Sequence, residues 1–352
     1  MMTNPLPNPG FWSWLRNGQG RPNGRTNSPL VNIRLEPFGR EHCGKTAVQS
    51  CLSRGPLLGA QDSGLELTAA DPRVLNQWVR QAMERYRDLQ VRGLTSTPTP
   101  AVTEYVLCEA DEPRAVLQWK DGVGQLLSHP TPDSPEDVQA RWDEMVEQLA
   151  QADVLVALVN CPPVGASPDL ARFEQDLQLQ AAYLREALKR RSLARPAAFA
   201  IVVNKLDAGF GSTNEAREAL TDDRLRTALA RLVRLAEGSV KVGMAAIIPL
   251  SAFGFGTTVQ APSGNGRDVA PTVKGCSPFS EGETEWLLKP DVTPQPFNLT
   301  GLVWWCLMAG LLLQPADGRQ EELGRLAKML ADDLRTMDAW VVPLHCRSTD
   351  SQ

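Results

Sequence analysis

In "VNIRLEPF" (31 to 38), apolar Val31, Ile33 and Leu35 alternate with Asn32, Arg34 and Glu36, the period of a strand with one buried face. A Gly-containing turn follows, then a helix beginning near Lys45. Residues 55 to 70 read as a Gly-rich connector. "DPRVLNQWVRQAMERYRDLQ" then offers Asp71 as N-cap and Pro72 at the first helical position, with Val74 or Leu75, Trp78, Ala82, Tyr86 and Leu89 at helical spacing. Two short strands, "TEYVLCEA" and "AVLQW", are joined by "DEPR", which predicts an antiparallel hairpin. "ADVLVALVN" and "AAFAIVVNKLD" do not alternate; such unbroken apolar runs belong to parallel strands covered on both faces. Helices at about 137 to 151, 168 to 191 and 213 to 237 separate these runs and "MAAIIPLSA". Strands alternating with helices imply a layered α/β domain with a mainly parallel sheet. Residues 254 to 296 are irregular and Gly/Pro/Ser-rich, long enough for an insertion. An apolar helix at 299 to 313, whose Trp304 and Trp305 read as core, and an amphipathic one at 318 to 337 close the chain.

Composition narrows the function classes. The chain has 352 residues, 42% of them apolar, enough to bury a substantial core as one large domain or two smaller ones. A net charge of -5 without long basic blocks gives no general attraction to nucleic acid or anionic lipid. The basic run "LKRRSLAR" (188 to 195) reads as a helix C-terminus where positive charge meets exposed carbonyls, or as a partner contact. Three histidines nearly exclude a multi-histidine metal site. Seven cysteines (43, 51, 108, 161, 276, 306, 346), odd in number and without C-x-x-C spacing, predict reduced packing thiols in a cytoplasmic protein. Residues 1 to 30 are rich in Pro, Gly and Asn and lack the basic flank and apolar run of an export signal. They predict a flexible tail that Phe11, Trp12 and Trp14 could dock. The apolar segment at 299 to 313 falls short of the roughly 18 to 20 residues that cross a bilayer, so no transmembrane segment is expected.

The chemistry is carried by four short stretches in order. "GREHCGKT" meets G-x-x-x-x-G-K-[ST] with Gly39, Gly44, Lys45 and Thr46, between a strand and a helix. Backbone N–H groups of such a loop, from Gly39 through Arg40, Glu41, His42 and Cys43 to Ala47, point at anionic phosphates. Lys45 reaches the terminal phosphates and the Thr46 hydroxyl ligates Mg²⁺. Chance produces such a match in roughly one chain of this length in a hundred. Asp121 ends a strand and opens "DGVG", a D-x-x-G stretch that supplies a second magnesium ligand and puts the Gly124 N–H near a γ-phosphate. "VVNKLD" places Asn204, Lys205 and Asp207 after a buried strand, where the Asp207 carboxylate can accept hydrogen bonds from the guanine N1–H and 2-amino group, which adenine lacks. In "IIPLSAFG", the Ser251-Ala252 backbone can contact the guanine carbonyl.

At these residues the chain resembles the P-loop GTPase family, in the translation-factor-related class that includes Ras-like proteins and heterotrimeric G-protein α subunits. The resemblance runs from about 31 to 313 and implies a three-layer P-loop NTPase (G-domain) fold. Its central sheet would be mostly parallel with one antiparallel strand, and a helical insertion at about 71 to 91 would precede switch I. The stretches "TPTPAVTEYVL" and "PFNLTGLVWW" look most like bacterial double-GTPase proteins, a type associated with signalling and defence. The domain expectation is therefore a tail at 1 to 30, a GTPase domain at 31 to 313 and a C-terminal helix and tail at 314 to 352.

The resemblance further implies GTP or GDP with Mg²⁺ as ligands and a protein effector or regulator at switches near 92 to 101 and 121 to 135. The switch threonine is Thr95, Thr97 or Thr99, with Thr95 first among them. Arg92, three residues ahead of Thr95, is either a built-in arginine finger or a solvated helix-end residue. Gln125 stands where family members carry the glutamine that orients the attacking water, or is an exposed polar residue. The family usually has a small residue at the position of Glu41, whose carboxylate repels phosphate oxygens unless it turns outward or pairs with Arg40. Two readings follow: a slow GTPase acting as a switch, or a nucleotide-bound scaffold with weak catalysis. Cys43 reads as packing and His42 as loop surface.

Overall fold

The computed structural model of the chain describes residues 31–39, 43–52, 63–69, 101–110, 112–121, 135–162, 169–255, 258–260, 286–288, 295–315 and 318–346. The expected tail, the helix at 71 to 91 and most of both switch segments lie outside them.

Eight strands form the main sheet: β1 (Val31–Phe38), β2 (Leu65–Ala69), β3 (Ala101–Glu109), β4 (Glu112–Asp121), β5 (Val154–Asn160), β6 (Ala197–Asn204), β7 (Val242–Pro249) and β10 (Val342–Leu344). Their order is β10-β7-β6-β5-β1-β4-β3-β2. The strands β7, β6, β5, β1 and β4 are parallel neighbours, β3 pairs antiparallel with β4, and edge strands β2 and β10 pair antiparallel with β3 and β7. The mostly parallel sheet with its antiparallel hairpin is thus present, and two short edge strands widen it. One of them, β2, occupies the stretch expected to be only a connector. A separate pair, β8 (Thr258–Gln260) with β9 (Trp286–Leu288), lies within the segment expected to be irregular.

Helices cover both faces. On one side α1 (Lys45–Leu52), α8 (Leu299–Leu312) and α9 (Gln320–Thr336) pack on Val31, Ile33, Leu35, Val154, Val156, Ala198, Ala200 and Ile248. On the other, α2 (Pro135–Gln151), α3 (Asp169–Arg190) and the short helices after β6 pack on Leu155, Ala157, Phe199, Ile201 and Ile247. Strands β5 and β6 send side chains into both layers, which is why they carry no alternation. Helix α8 is buried almost all round, as its uninterrupted apolar sequence requires. Among the described residues no helix is long and apolar enough to cross a membrane.

The region expected as one helix over 213 to 237 breaks into α5 (Thr213–Ala219), α6 (Asp222–Ala228) and α7 (Ala230–Gly238), after the short α4 (Leu206–Gly209). An N-cap sets the first break, where Thr221 accepts from the Arg224 N–H, just as Ser212 opens α5 by accepting from the Glu215 N–H. The basic run after α3 does meet carbonyls. Arg191 is buried and donates to the carbonyls of Ala150, Ala152, Arg195 and Pro196, which binds the ends of α2 and α3 together. At the sheet edge, Pro343 removes a donor from β10 and Arg226 covers its carbonyl, so this edge is poorly suited to pairing with another strand.

Candidate functional site

The chain leaves β1 towards β4 on one side and later towards β5, β6 and β7 on the other, so β1 is the point where strand order reverses. Crevices outside the carboxyl ends of strands at such a point are where open α/β sheets take ligands. Gly39 follows β1, Asp121 ends β4, Asn204 ends β6, and Ser251 lies two residues past β7, so all four stretches singled out in the sequence converge on that end.

The two glycines between β1 and α1 are required by contact. At Gly39, φ is 157° and an added Cβ would lie 2.5 Å from the Leu158 carbonyl oxygen and 2.8 Å from Cys43 Sγ. At Gly44, φ is 94° and a Cβ would lie 2.3 Å from Asn204 Nδ2. Both positions use backbone regions that side chains disfavour, and both leave no room for one. Lys45 opens α1, is buried, and donates from Nζ to the Gly39 carbonyl at 2.7 Å, which folds its ammonium back over the loop. Cys43 packs into the core beneath.

The second cluster is tied to the first. Asn204, 1% exposed, donates from Nδ2 to the Cys43 carbonyl at 2.9 Å, so the end of β6 holds the chain just before α1 directly. Lys205 adopts a left-handed backbone, φ 64° and ψ 37°, and this turn starts α4 and carries Asp207 to the site. Non-glycine residues in that region are uncommon and gather at functional sites. Ser251 Oγ donates to Asp207 Oδ1 and accepts from the Gly254 N–H at 2.9 Å. The loop of Ser251 and Ala252 is fixed from two sides, by pairing of Ser251 with Phe297 and by Cys51 Sγ donating to the Ala252 carbonyl at 2.9 Å. Beside it, burial and the Asp207 carboxylate push the Cys161 thiol up to about 12.

Asp121 is placed by its backbone alone, at the end of β4 opposite Ala101, and Thr46 as the second residue of α1. Arg40, Glu41, His42, Arg92, Thr95, Thr97, Thr99, Gly124 and Gln125 lie outside the described residues. Among the described residues there is no cluster of three His, Cys, Asp or Glu side chains suited to a metal.

Two contacts near the site were not read from the sequence. Gln180 on α3 donates from Nε2 to the Leu158 carbonyl at 3.0 Å, the oxygen against which Gly39 packs. Gln49 on α1 donates to Thr103 Oγ1 on β3 at 2.8 Å, with both residues buried. Gln180 had a signal in its helical phase: it lies three residues after Leu177 and four before Leu184 on the buried face of α3.

The geometry is that of a layered α/β fold whose mostly parallel sheet carries an antiparallel hairpin beside β1. No protein-family model matches the chain, and no curated protein matches it by sequence. Among solved structures, translation elongation factor SelB from Methanococcus maripaludis, in complex with the GTP analogue GppNHp, is similar at 13% identity and a TM-score of 0.30. The match covers 64% of this chain and 31% of that one, so this chain spans about a third of the factor's length. A likeness this loose defines nothing by itself; the fold class rests on the strand order and the placement of β1 between β4 and β5.

Proposed function

We propose that the chain binds GTP with Mg²⁺ and hydrolyses it slowly to GDP and phosphate, acting as a nucleotide-dependent switch for a protein partner in bacterial signalling or defence. The observation that carries this reading is the bond from Asn204 to the Cys43 carbonyl. It makes the phosphate loop and the base-selecting loop one unit, with Asp207 oriented by Ser251.

In this reading the β- and γ-phosphates lie over the N–H groups between Gly39 and Ala47, and Lys45 neutralises charge as it moves onto the leaving oxygen. Thr46 and Asp121 would supply the hard oxygen ligands that suit Mg²⁺. That ion, when bound, stabilises the charge on the β- and γ-phosphate oxygens. Water forms a new bond to the γ-phosphorus as the bond to the bridging oxygen breaks, and its protons leave with inorganic phosphate and solvent. Gln125 would orient this water, Arg92 would offset charge, and Thr95 would report the γ-phosphate. Asp207 accepts from the guanine N1–H and 2-amino group, while the Ser251-Ala252 backbone meets its carbonyl.

Calorimetric titration tests the reading. GTP with Mg²⁺ is expected to bind at least about a hundredfold more tightly than ATP, because adenine leaves the half-buried Asp207 carboxylate without its two donors, and Lys45→Ala to abolish binding. Equal affinity for ATP, or GTP affinity unchanged by Lys45→Ala, overturns it. Single-turnover phosphate release then separates hydrolysis from a nucleotide-holding scaffold.

A further inference from the structure

Helix α3 turns a nearly continuous apolar face to the sheet through Phe173, Leu177, Ala181, Leu184 and Leu188. Gln180 interrupts it, and is 2% exposed. Its Nε2 donates to the Leu158 carbonyl at 3.0 Å, whereas its Oε1 is buried without any hydrogen-bond partner. A buried amide left half satisfied costs stability, and a methionine would fill similar space without stranding an acceptor. Core packing therefore does not account for this glutamine; its donor does.

The carbonyl it holds is the wall of the phosphate loop. A Cβ on Gly39 would stand 2.5 Å from Leu158 O, and the Gly39 carbonyl in turn accepts from Lys45 Nζ at 2.7 Å. At the other end of the loop Asn204 repeats the arrangement. It is 1% exposed, its Nδ2 donates to the Cys43 carbonyl at 2.9 Å, and its Oδ1 is buried without a partner. Asn204 thus holds a carbonyl of the loop itself, while Gln180 holds the β5 carbonyl against which its first glycine packs.

We propose that Gln180 is a positioning residue for the phosphate loop. It fixes the Leu158 carbonyl, and through it the path of Gly39, so that the loop N–H groups and Lys45 meet the β-phosphate of a nucleoside diphosphate or triphosphate. This rests on the nucleotide reading above.

The test measures GDP and GMP affinities by titration for the full chain and for Gln180→Met and Gln180→Leu, with thermal melting alongside. Only GDP carries the β-phosphate. The expected result is a GDP affinity about tenfold lower in the variants, about one hydrogen bond's worth of positioning. GMP affinity is unchanged and the melting temperature stays within a few degrees. A GDP-over-GMP preference kept at the wild-type value overturns the proposal. So does parallel weakening of both nucleotides, or failure of both variants to fold, because each marks a purely structural role. If the wild-type chain shows no preference for GDP over GMP, the nucleotide reading itself has failed.

Discussion

Replacing Gly39 by alanine tests the loop after β1 at the point where an added side chain would meet backbone. The new Cβ would stand 2.5 Å from the Leu158 oxygen and 2.8 Å from Cys43 Sγ, and the first of these is backbone in the middle of the sheet. A backbone of φ 157° adds strain of about 1–3 kcal/mol for a residue with a side chain. Overpacking of a close site adds about 1–3 kcal/mol, so the total is roughly 2–6 kcal/mol. The cost appears in one of two places. If the loop holds, stability falls; if it yields, the Gly39 carbonyl leaves Lys45 and GTP affinity falls tenfold for every 1.4 kcal/mol or so. Urea denaturation and titration with a fluorescent GTP analogue read the two terms, whose sum should reach about 2 kcal/mol or more. Gly324→Ala is the control: it lies inside α9, a Cβ there meets nothing within 4 Å, and it should stabilise by about 0.5–1 kcal/mol without touching affinity. Gly39→Ala with both readouts unchanged would refute the packing argument.

The ion pairs between α9 and the β3–β4 hairpin have a defined pH signature. The Arg325 hydrogen bond, opposed by burial and helped by the charges of Arg325 and Arg114, holds the Glu109 carboxyl below its ordinary value of 4.5. A lowered carboxylate pKa stabilises the fold above the unfolded value and loses that effect as pH falls through the folded one. Glu109→Gln should therefore cost about 0.5–1 kcal/mol at pH 7, given the solvent exposure of the pair, with the gap to wild type closing well below pH 4.5; a gap independent of pH contradicts this assignment. The Cys161 thiol, raised to about 12 first by burial and then by Asp207, should resist iodoacetamide at pH 8 in the folded chain and react on unfolding, as peptide mass analysis would show. Prompt native labelling would place it elsewhere.

Sequence pattern revealed the sheet interior because burial on both faces leaves a plain mark: β5 and β6 are unbroken apolar runs, whereas β1 alternates only over 31–34 and is buried throughout from Leu35 to Phe38, Glu36 included. The edges were not legible. Strand β2 is only Leu65–Ala69 and owes its existence to pairing with β3, a tertiary effect that local propensity does not contain. Strand β10 carries Pro343, which argues against a strand unless its missing donor faces outward. The residues where chemistry restricts residue type, Gly39, Gly44, Lys45, Asn204 and Asp207, stood out in the sequence, and the structure gathers them at one end of the sheet. Gln180 and the Gln49–Thr103 bond act through geometry that no motif encodes, although a glutamine on the buried phase of α3 is a visible exception to its apolar pattern.

In the proposed reading Asp207 recognises the guanine base, its Oδ1 held by Ser251 at the same sheet end as Gly39 and Lys45. Competitive titration of Asp207→Asn with GTP and xanthosine triphosphate is the direct measurement, since an amide at this position accepts one hydrogen bond and donates another. Wild type should prefer GTP and the variant should prefer the xanthine nucleotide. A variant that still prefers GTP contradicts the account.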